Sequence, residues 1–117
     1  MKFEDVRLDM WLKYENRYWY VTYLDDELCA LTRYGCKGYN NIDLNKHDFE
    51  TTVVENVKPP VYHNGDVLIY IGEALTFKDK LATIISNTNP YKISPYRIRI
   101  QDDTFWVSAF DLQPIEY

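Results

Sequence analysis

The fold is decided by an eight-residue stretch, RYWYVTYL, that occupies residues 17–24. Aromatic and β-branched residues alternate along it, and Trp19, Val21 and Tyr23 share one side. A period of two in residues of these types predicts a β-strand with one buried face. We expect these three side chains to enter a core and Tyr18 and Tyr20 to stay exposed on the other side.

Turn residues bound this strand at both ends. Glu15-Asn16 precede it and Asp25-Asp26 follow it, and Asn and Asp are favoured in tight turns. The strand therefore forms a hairpin with the residues that return after Asp25-Asp26. The other predicted elements of the first half are strands over Met10–Tyr14 and Glu27–Thr32, a link over Tyr34–Gly38, and extended pieces over Asn41–Leu44 and Phe49–Val54.

The second half shows the same kind of pattern. From Tyr96 to Gln101 the apolar side chains alternate with Arg97 and Arg99, which predicts a strand with one basic outer face. Asp102-Asp103 then supply a turn. Helix-period stretches are scarce, so the sequence predicts an all-β protein. The other predicted strands of this half lie over Val67–Ile71, Lys80–Ser86 and Thr104–Ser108.

The sequence Lys58-Pro59-Pro60 marks the boundary between the halves, because adjacent prolines force extended backbone. We expect domains over residues 1–56 and 61–117. A shared spacing favours a duplicated fold: in each half an apolar residue is followed, four positions on, by an Asp and a second apolar residue. The two sets are Leu44, Asp48 and Phe49, and Val107, Asp111 and Leu112.

Composition and charge limit the classes of function that the sequence favours. The chain has 117 residues, 46% of them hydrophobic and 16% aromatic, with eleven Tyr. Lys and Arg number 13 against 18 Asp and Glu, for a net charge of -5. Because nucleic-acid binders gain most of their affinity from Lys and Arg on phosphates, direct nucleic-acid binding is not expected. An acidic surface suits a protein partner with a basic surface.

The sequence carries no pattern typical of an enzyme or a metal protein. Its two Cys and two His lie in no zinc-binding spacing, and its four Gly form no phosphate loop. We expect free thiols, no metal, no cofactor and no catalytic residue. No apolar run is long enough to span a membrane, and the first residues do not resemble a signal peptide. These features predict a cytoplasmic protein without a membrane partner.

The second half resembles the small SH3-like barrels of the KOW and Tudor kind. The resemblance rests on the opening Gly65-Asp66-Val67, the Tyr96–Val107 hairpin and the closing Asp111-Leu112-Gln113-Pro114. The first half resembles a divergent copy that lacks the Gly-Asp pair and the final Pro. The resemblance implies two SH3-like barrels in tandem, packed together, that act as a binding module. Small tandem barrels of this composition also resemble accessory proteins of bacteriophages and other mobile elements.

These expectations favour a non-enzymatic protein-binding module that acts through exposed Tyr and acidic turns. It would inhibit a basic, nucleic-acid-handling protein by occupying its surface. Two alternatives stay open: a nucleic-acid-associated module that uses Arg97, Arg99 and the rings of Tyr96 and Trp106, and a structural subunit that self-associates. The full set of candidate binding residues is Tyr18, Tyr20, Asp25, Asp26, Glu27, Tyr96, Arg97, Arg99, Asp102, Asp103 and Trp106.

Overall fold

The computed structural model of the chain describes residues 1–35, 38–90 and 92–115. The predicted all-β class is confirmed: the described residues form ten strands in two antiparallel sheets, with one short α-helix and three 3-10 turns. The chain divides into two compact units, and the chain passes from one to the other between Lys58 and Pro59. The first unit comprises Met1–Arg33 and Tyr39–Lys58, and most of the second extends from Pro59 onward.

The first sheet has five strands and one helix. A 3-10 turn at Phe3–Asp5 precedes them. The strands are β1 (Trp11–Tyr14), β2 (Arg17–Leu24), β3 (Leu28–Gly35), β4 (Gly38–Asn45) and β5 (Glu55–Val57), with α1 (Lys46–Thr51) between the last two. Their order in the sheet is β4-β3-β2-β1-β5, so that β1 pairs with both the second and the fifth strand.

The second sheet repeats this order. Its strands are β6 (Val67–Tyr70), β7 (Leu81–Asn87), β8 (Tyr96–Ile100), β9 (Asp103–Val107) and β10 (Leu112–Gln113). One 3-10 turn, Leu75–Phe77, lies between β6 and β7, and another, Ala109–Asp111, separates β9 from β10. The sheet order is β10-β6-β7-β8-β9, which again places the first strand of the unit between its second and fifth.

Matching backbone details extend the similarity between the two units. Asp9 and Gly65 both have positive φ, 64° and 91°, and both precede the residue before the first strand. The N–H of Val21 donates to the carbonyl of Met10, and the N–H of Ile84 donates to that of Asp66. The pairing of second and third strands is irregular directly after Val21 in one unit and directly after Ile84 in the other. The similarity between the two units therefore extends to turns and bulges.

Each unit has its own hydrophobic core on one face of its sheet. In the first unit the aromatic rings of Phe3 and Phe49 meet edge to face, with centroids 5.5 Å apart. The other buried residues of that core are Val6, Leu12, Trp19, Val21, Cys29, Leu31, Leu44 and Val54. The core of the second unit consists of Leu68, Tyr70, Ala82, Ile84, Tyr96, Ile98, Ile100, Val107, Ala109 and Leu112.

Two element predictions are wrong. The residues Phe49–Thr51 are helical, because Asn45 and Asp48 form a capping box that starts α1: the Asn45 side chain accepts from the N–H of Asp48, and the Asp48 carboxylate accepts from the N–H of Asn45. The predicted link over Tyr34–Gly38 is shorter than expected, because β3 runs to Gly35 and β4 begins at Gly38. Cys36 and Lys37 lie outside the described residues.

Candidate binding face

The strands of the second sheet present one face to solvent. Register places Arg99 of β8 opposite Thr83 of β7 and Thr104 of β9, and Arg97 opposite Trp106. Because Ile98 and Ile100 are buried in the core, these residues lie on the opposite face. Val67 and Leu81 share that face, by their pairing with Thr83 and Ile69. We call this surface the outer face; its residues are Val67, Ile69, Leu81, Thr83, Ser86, Arg97, Arg99, Thr104, Trp106 and Gln113.

The outer face is basic. Arg97 donates from Nη2 to Oγ1 of Thr104 over 3.2 Å, and both guanidinium groups are exposed. Within the described part of the chain, no carboxylate forms an ion pair with Arg97 or Arg99. None of the strand residues that form the face is acidic. The face therefore carries two positive charges on a chain whose net charge is -5.

Apolar side chains flank the two Arg. Trp106 is 42% exposed, Val67 45% and Leu81 60%. Trp106 is opposite Arg97 in the pairing of β8 with β9, and Leu81 lies on the neighbouring strand β7, two residues from Thr83, which is opposite Arg99. Trp and Arg are among the residue types that contribute most of the binding energy at protein interfaces. The outer face exposes both.

The aspartates of the β8–β9 turn lie at the end of this face. Asp102 and Asp103 are exposed, and Asp103 opposes Ile100 in the register. Asp103 therefore lies on the same side of the sheet as Ile100, opposite to the side of Thr104 and Trp106, and does not belong to the outer face. Both carboxylates remain at a hairpin tip, as the sequence predicts.

Tyr20 is wrongly predicted to be exposed. It is only 7% exposed, its ring lies 5.4 Å from that of Trp11, and its hydroxyl donates to the carboxylate of Asp9. Burial and this hydrogen bond raise the pKa of Tyr20 above its ordinary value. Tyr18 is exposed as expected, with Nζ of Lys13 at 5.8 Å from its ring centre. Tyr23, predicted to be inside, is 52% exposed, because the irregular pairing after Val21 reverses its side.

Tyr96 is unsuited to stacking on a base. It is 1% exposed and packs in the second core with Ile98 and Ile100. Its hydroxyl accepts from the N–H of Tyr62 at 2.9 Å and donates to the carbonyl of Pro60 at 3.4 Å. The alternation of this strand already places Tyr96 on the same side as Ile98 and Ile100, which conflicts with a role in stacking on a nucleic-acid base.

In the acidic turn of the first unit, the Asp25 carboxylate is hydrogen-bonded within the turn itself. Oδ1 of Asp25 accepts from the N–H groups of Glu27 and Leu28 at 2.8 and 2.9 Å, and Oδ2 accepts from the Tyr23 hydroxyl at 2.9 Å. The backbone hydrogen bonds, first that of Glu27, lower the pKa of Asp25. Asp26 and Glu27 are exposed. Asp25 and Asp26 border an open groove of about 430 Å³. That groove also exposes Arg7 and Lys46, so its charge is mixed.

The aspartates next to the two His accept hydrogen bonds from backbone N–H groups. The Asp48 carboxylate accepts from the N–H of Asn45, and that of Asp66 accepts from the backbone N–H of His63. In the ranges that the structure describes, no three His, Cys, Asp or Glu residues come together as metal ligands. Cys29 is a free thiol in the first core, and burial raises its pKa to about 11, so it is a poor nucleophile.

Three of the predicted binding residues thus come together on one face, Arg97, Arg99 and Trp106. Sequence reasoning missed Val67 and Leu81 as members of that face. The signal was present, because both residues lie in predicted strands, and alternate side chains of a strand turn away from the core; the strands observed there are β6 (Val67–Tyr70) and β7 (Leu81–Asn87). Because these strands are apolar on both sides, the sequence did not indicate which side faces solvent.

The chain matches no family model, no curated protein and no solved structure. None of the helices in the described ranges has the length and apolar character that a membrane span requires.

Proposed function

We propose that this chain is a non-enzymatic protein-binding module that engages its partner through the outer face of the second sheet. The observation that carries the proposal is the exposed cluster of Arg97, Arg99 and Trp106, flanked by Val67 and Leu81. The five-stranded form of both units supports the proposed resemblance to tandem SH3-like barrels, which implies binding rather than catalysis.

A protein partner fits this face better than a nucleic acid does. A phosphate backbone binds through many Lys and Arg, and the outer face has two cations. The other residues of the face are uncharged, and only one of them, Trp106, offers a ring for stacking. Asp102 and Asp103 at the adjoining tip repel phosphates.

Site-directed photo-crosslinking tests the proposal. A benzophenone amino acid replaces Thr104, which lies on the outer face, and in a control it replaces Leu75, which is 81% exposed in the turn between β6 and β7. Both proteins are irradiated in nuclease-treated lysate of the host cell. We expect a stoichiometric protein adduct from position 104 alone, and its loss when Arg97→Glu and Arg99→Glu are added.

Equal adducts from positions 104 and 75, or adducts unaffected by the Arg substitutions, would contradict the proposal. Adducts to oligonucleotide in lysate without nuclease, with no protein adduct, would favour the nucleic-acid module. A partner with a basic surface that docks on Asp26 and Glu27 stays a prediction, and benzophenone at Asp26 tests it in the same lysate.

A further inference from the structure

We infer that the outer face binds an acidic, extended protein segment in which two carboxylates at alternate positions adjoin an aromatic or aliphatic side chain. This inference rests on the proposed function and names the chemistry of its partner.

The spacing of the two Arg sets the spacing of the carboxylates. Arg97 and Arg99 are alternate residues of β8 on one face, and two residues of a strand span about 6.6 Å. Carboxylates at positions i and i+2 of an extended segment have the same separation. A guanidinium group presents its donors in a fork that matches a carboxylate, so one Arg pairs with each acidic side chain.

Charge complementarity favours an acidic segment over other peptides. No carboxylate in the described residues pairs with Arg97 or Arg99, so binding displaces no internal ion pair. The hydrogen bond from Arg97 to Thr104 occupies one edge of that guanidinium and leaves other donors for a ligand. Asp102 and Asp103 repel an acidic segment at the tip of the hairpin, which confines the segment to the middle of the strands.

The apolar residues specify what accompanies the carboxylates. Trp106 opposes Arg97 on β9, and Leu81 lies on β7, two residues from Thr83, the residue opposite Arg99. An apolar side chain next to the acidic pair covers Trp106 and removes its exposed area from water. A segment with carboxylates alone leaves Trp106 and Leu81 uncovered, and we expect it to bind more weakly.

Selection from a random peptide library tests the inference without knowledge of the natural partner. Twelve-residue peptides displayed on phage are selected on the folded full chain. Parallel selections use the double variant Arg97→Glu with Arg99→Glu and a control, Lys78→Glu with Lys92→Glu, which changes the net charge equally at exposed positions away from the outer face. Circular dichroism and thermal unfolding establish that each variant is folded.

We expect wild-type binders to be enriched in Asp or Glu at i and i+2 beside Phe, Trp, Leu or Ile. The same peptides should lose at least about tenfold in affinity on the Arg double variant and keep their affinity on the Lys control. Trp106→Ala should weaken the same peptides while leaving their acidic preference.

Binders without acidic enrichment, equal losses on both charge variants, or no binders above background would overturn the inference. These outcomes are separable from failure of the proposed function. A protein adduct at position 104 combined with no acidic preference refutes only the partner chemistry. Adducts to nucleic acid alone refute both.

Discussion

Tyr20 shows why alternation predicts the side of a residue more reliably than its exposure. Period-two reasoning correctly places Trp19 and Val21 in the core and Tyr20 on the opposite face of β2. That face is not open at Tyr20, because the ring lies beside Trp11 and the hydroxyl reaches Asp9. Asp9 lies eleven residues before Tyr20 and has a positive φ. No local sequence pattern predicts the hydrogen bond between the two side chains.

Tyr20→Phe should lower the free energy of unfolding by about 1 to 2 kcal/mol, because it removes a hydrogen bond to a carboxylate. Urea unfolding measures the loss. A double-mutant cycle with Asp9→Ala supplies the control: the two substitutions should be non-additive. Additive effects would show that the hydroxyl and the carboxylate do not stabilise each other.

Asp25 should make stability depend on pH in the acid range. Its folded pKa is below the ordinary value of about 3.9, because its carboxylate accepts backbone N–H groups. Its contribution is fully present above that ordinary value and is lost as the pH falls through the folded pKa. The difference in unfolding free energy between wild type and Asp25→Ala should therefore be constant above about pH 5 and shrink toward pH 2.

Urea titrations of both proteins across this range measure that difference. A difference that does not change with pH would mean that the ionised carboxylate is not what stabilises the turn.

At the scale of elements, the spacing noticed in both halves has a structural cause. Asp48 and Asp111 are each the third residue of a helical segment after the fourth strand of a unit, and each completes a capping box, with Asn45 and Ser108 as the N-caps. The paired aspartates, by contrast, are not equivalent: Asp25-Asp26 connect second and third strands, and Asp102 lies between third and fourth. The spacing next to the cap therefore corresponds to equivalent positions of the two units, and the paired aspartates do not.

Asn45→Ala and Ser108→Ala should each cost about 1 kcal/mol of unfolding free energy, since each removes the acceptor of an N-cap. Asn40→Ala is a matched control, because Asn40 is exposed in β4. Chemical denaturation of the three variants is the measurement. A loss for Asn40→Ala as large as for the N-cap variants would contradict the capping account.

Gly65→Ala isolates the cost of the left-handed turn before β6. The φ of Gly65 is 91°, and a Cβ at that position meets no heavy atom within 4 Å. The substitution should therefore destabilise by about 1 kcal/mol through backbone conformation alone. Thermal unfolding detects the change, and an unchanged midpoint would contradict it. The counterpart Asp9 accepts a similar φ, as Asp does more readily than most residues.

At the scale of the whole molecule, alternation predicts the class of the fold and most strand positions. The strand β2 has the bounds that its alternation predicts, and the predicted β8 differs by one residue. The helix α1 could not be found in this way, because six residues are too few for a helical period and Phe49–Val54 is rich in β-formers. Its start depends on the cap at Asn45 rather than on hydrophobic pattern.

The candidate site could be predicted in part. Arg97, Arg99 and Trp106 follow from alternation in two adjacent strands of one hairpin. Val67 and Leu81 join them only through the pairing of β6 with β7, which is non-local information. A wholly apolar strand does not indicate which of its sides faces solvent.

The central claim is that partner binding occurs on the outer face. The most direct test is a ¹⁵N–¹H chemical-shift titration of the full chain with the partner captured at position 104. We predict that the largest shifts fall on the amides of Thr83, Arg97, Arg99 and Thr104 and on the indole N–H of Trp106. Shifts centred on Tyr18, Asp26 and Glu27, with β8 and β9 unchanged, would contradict the account.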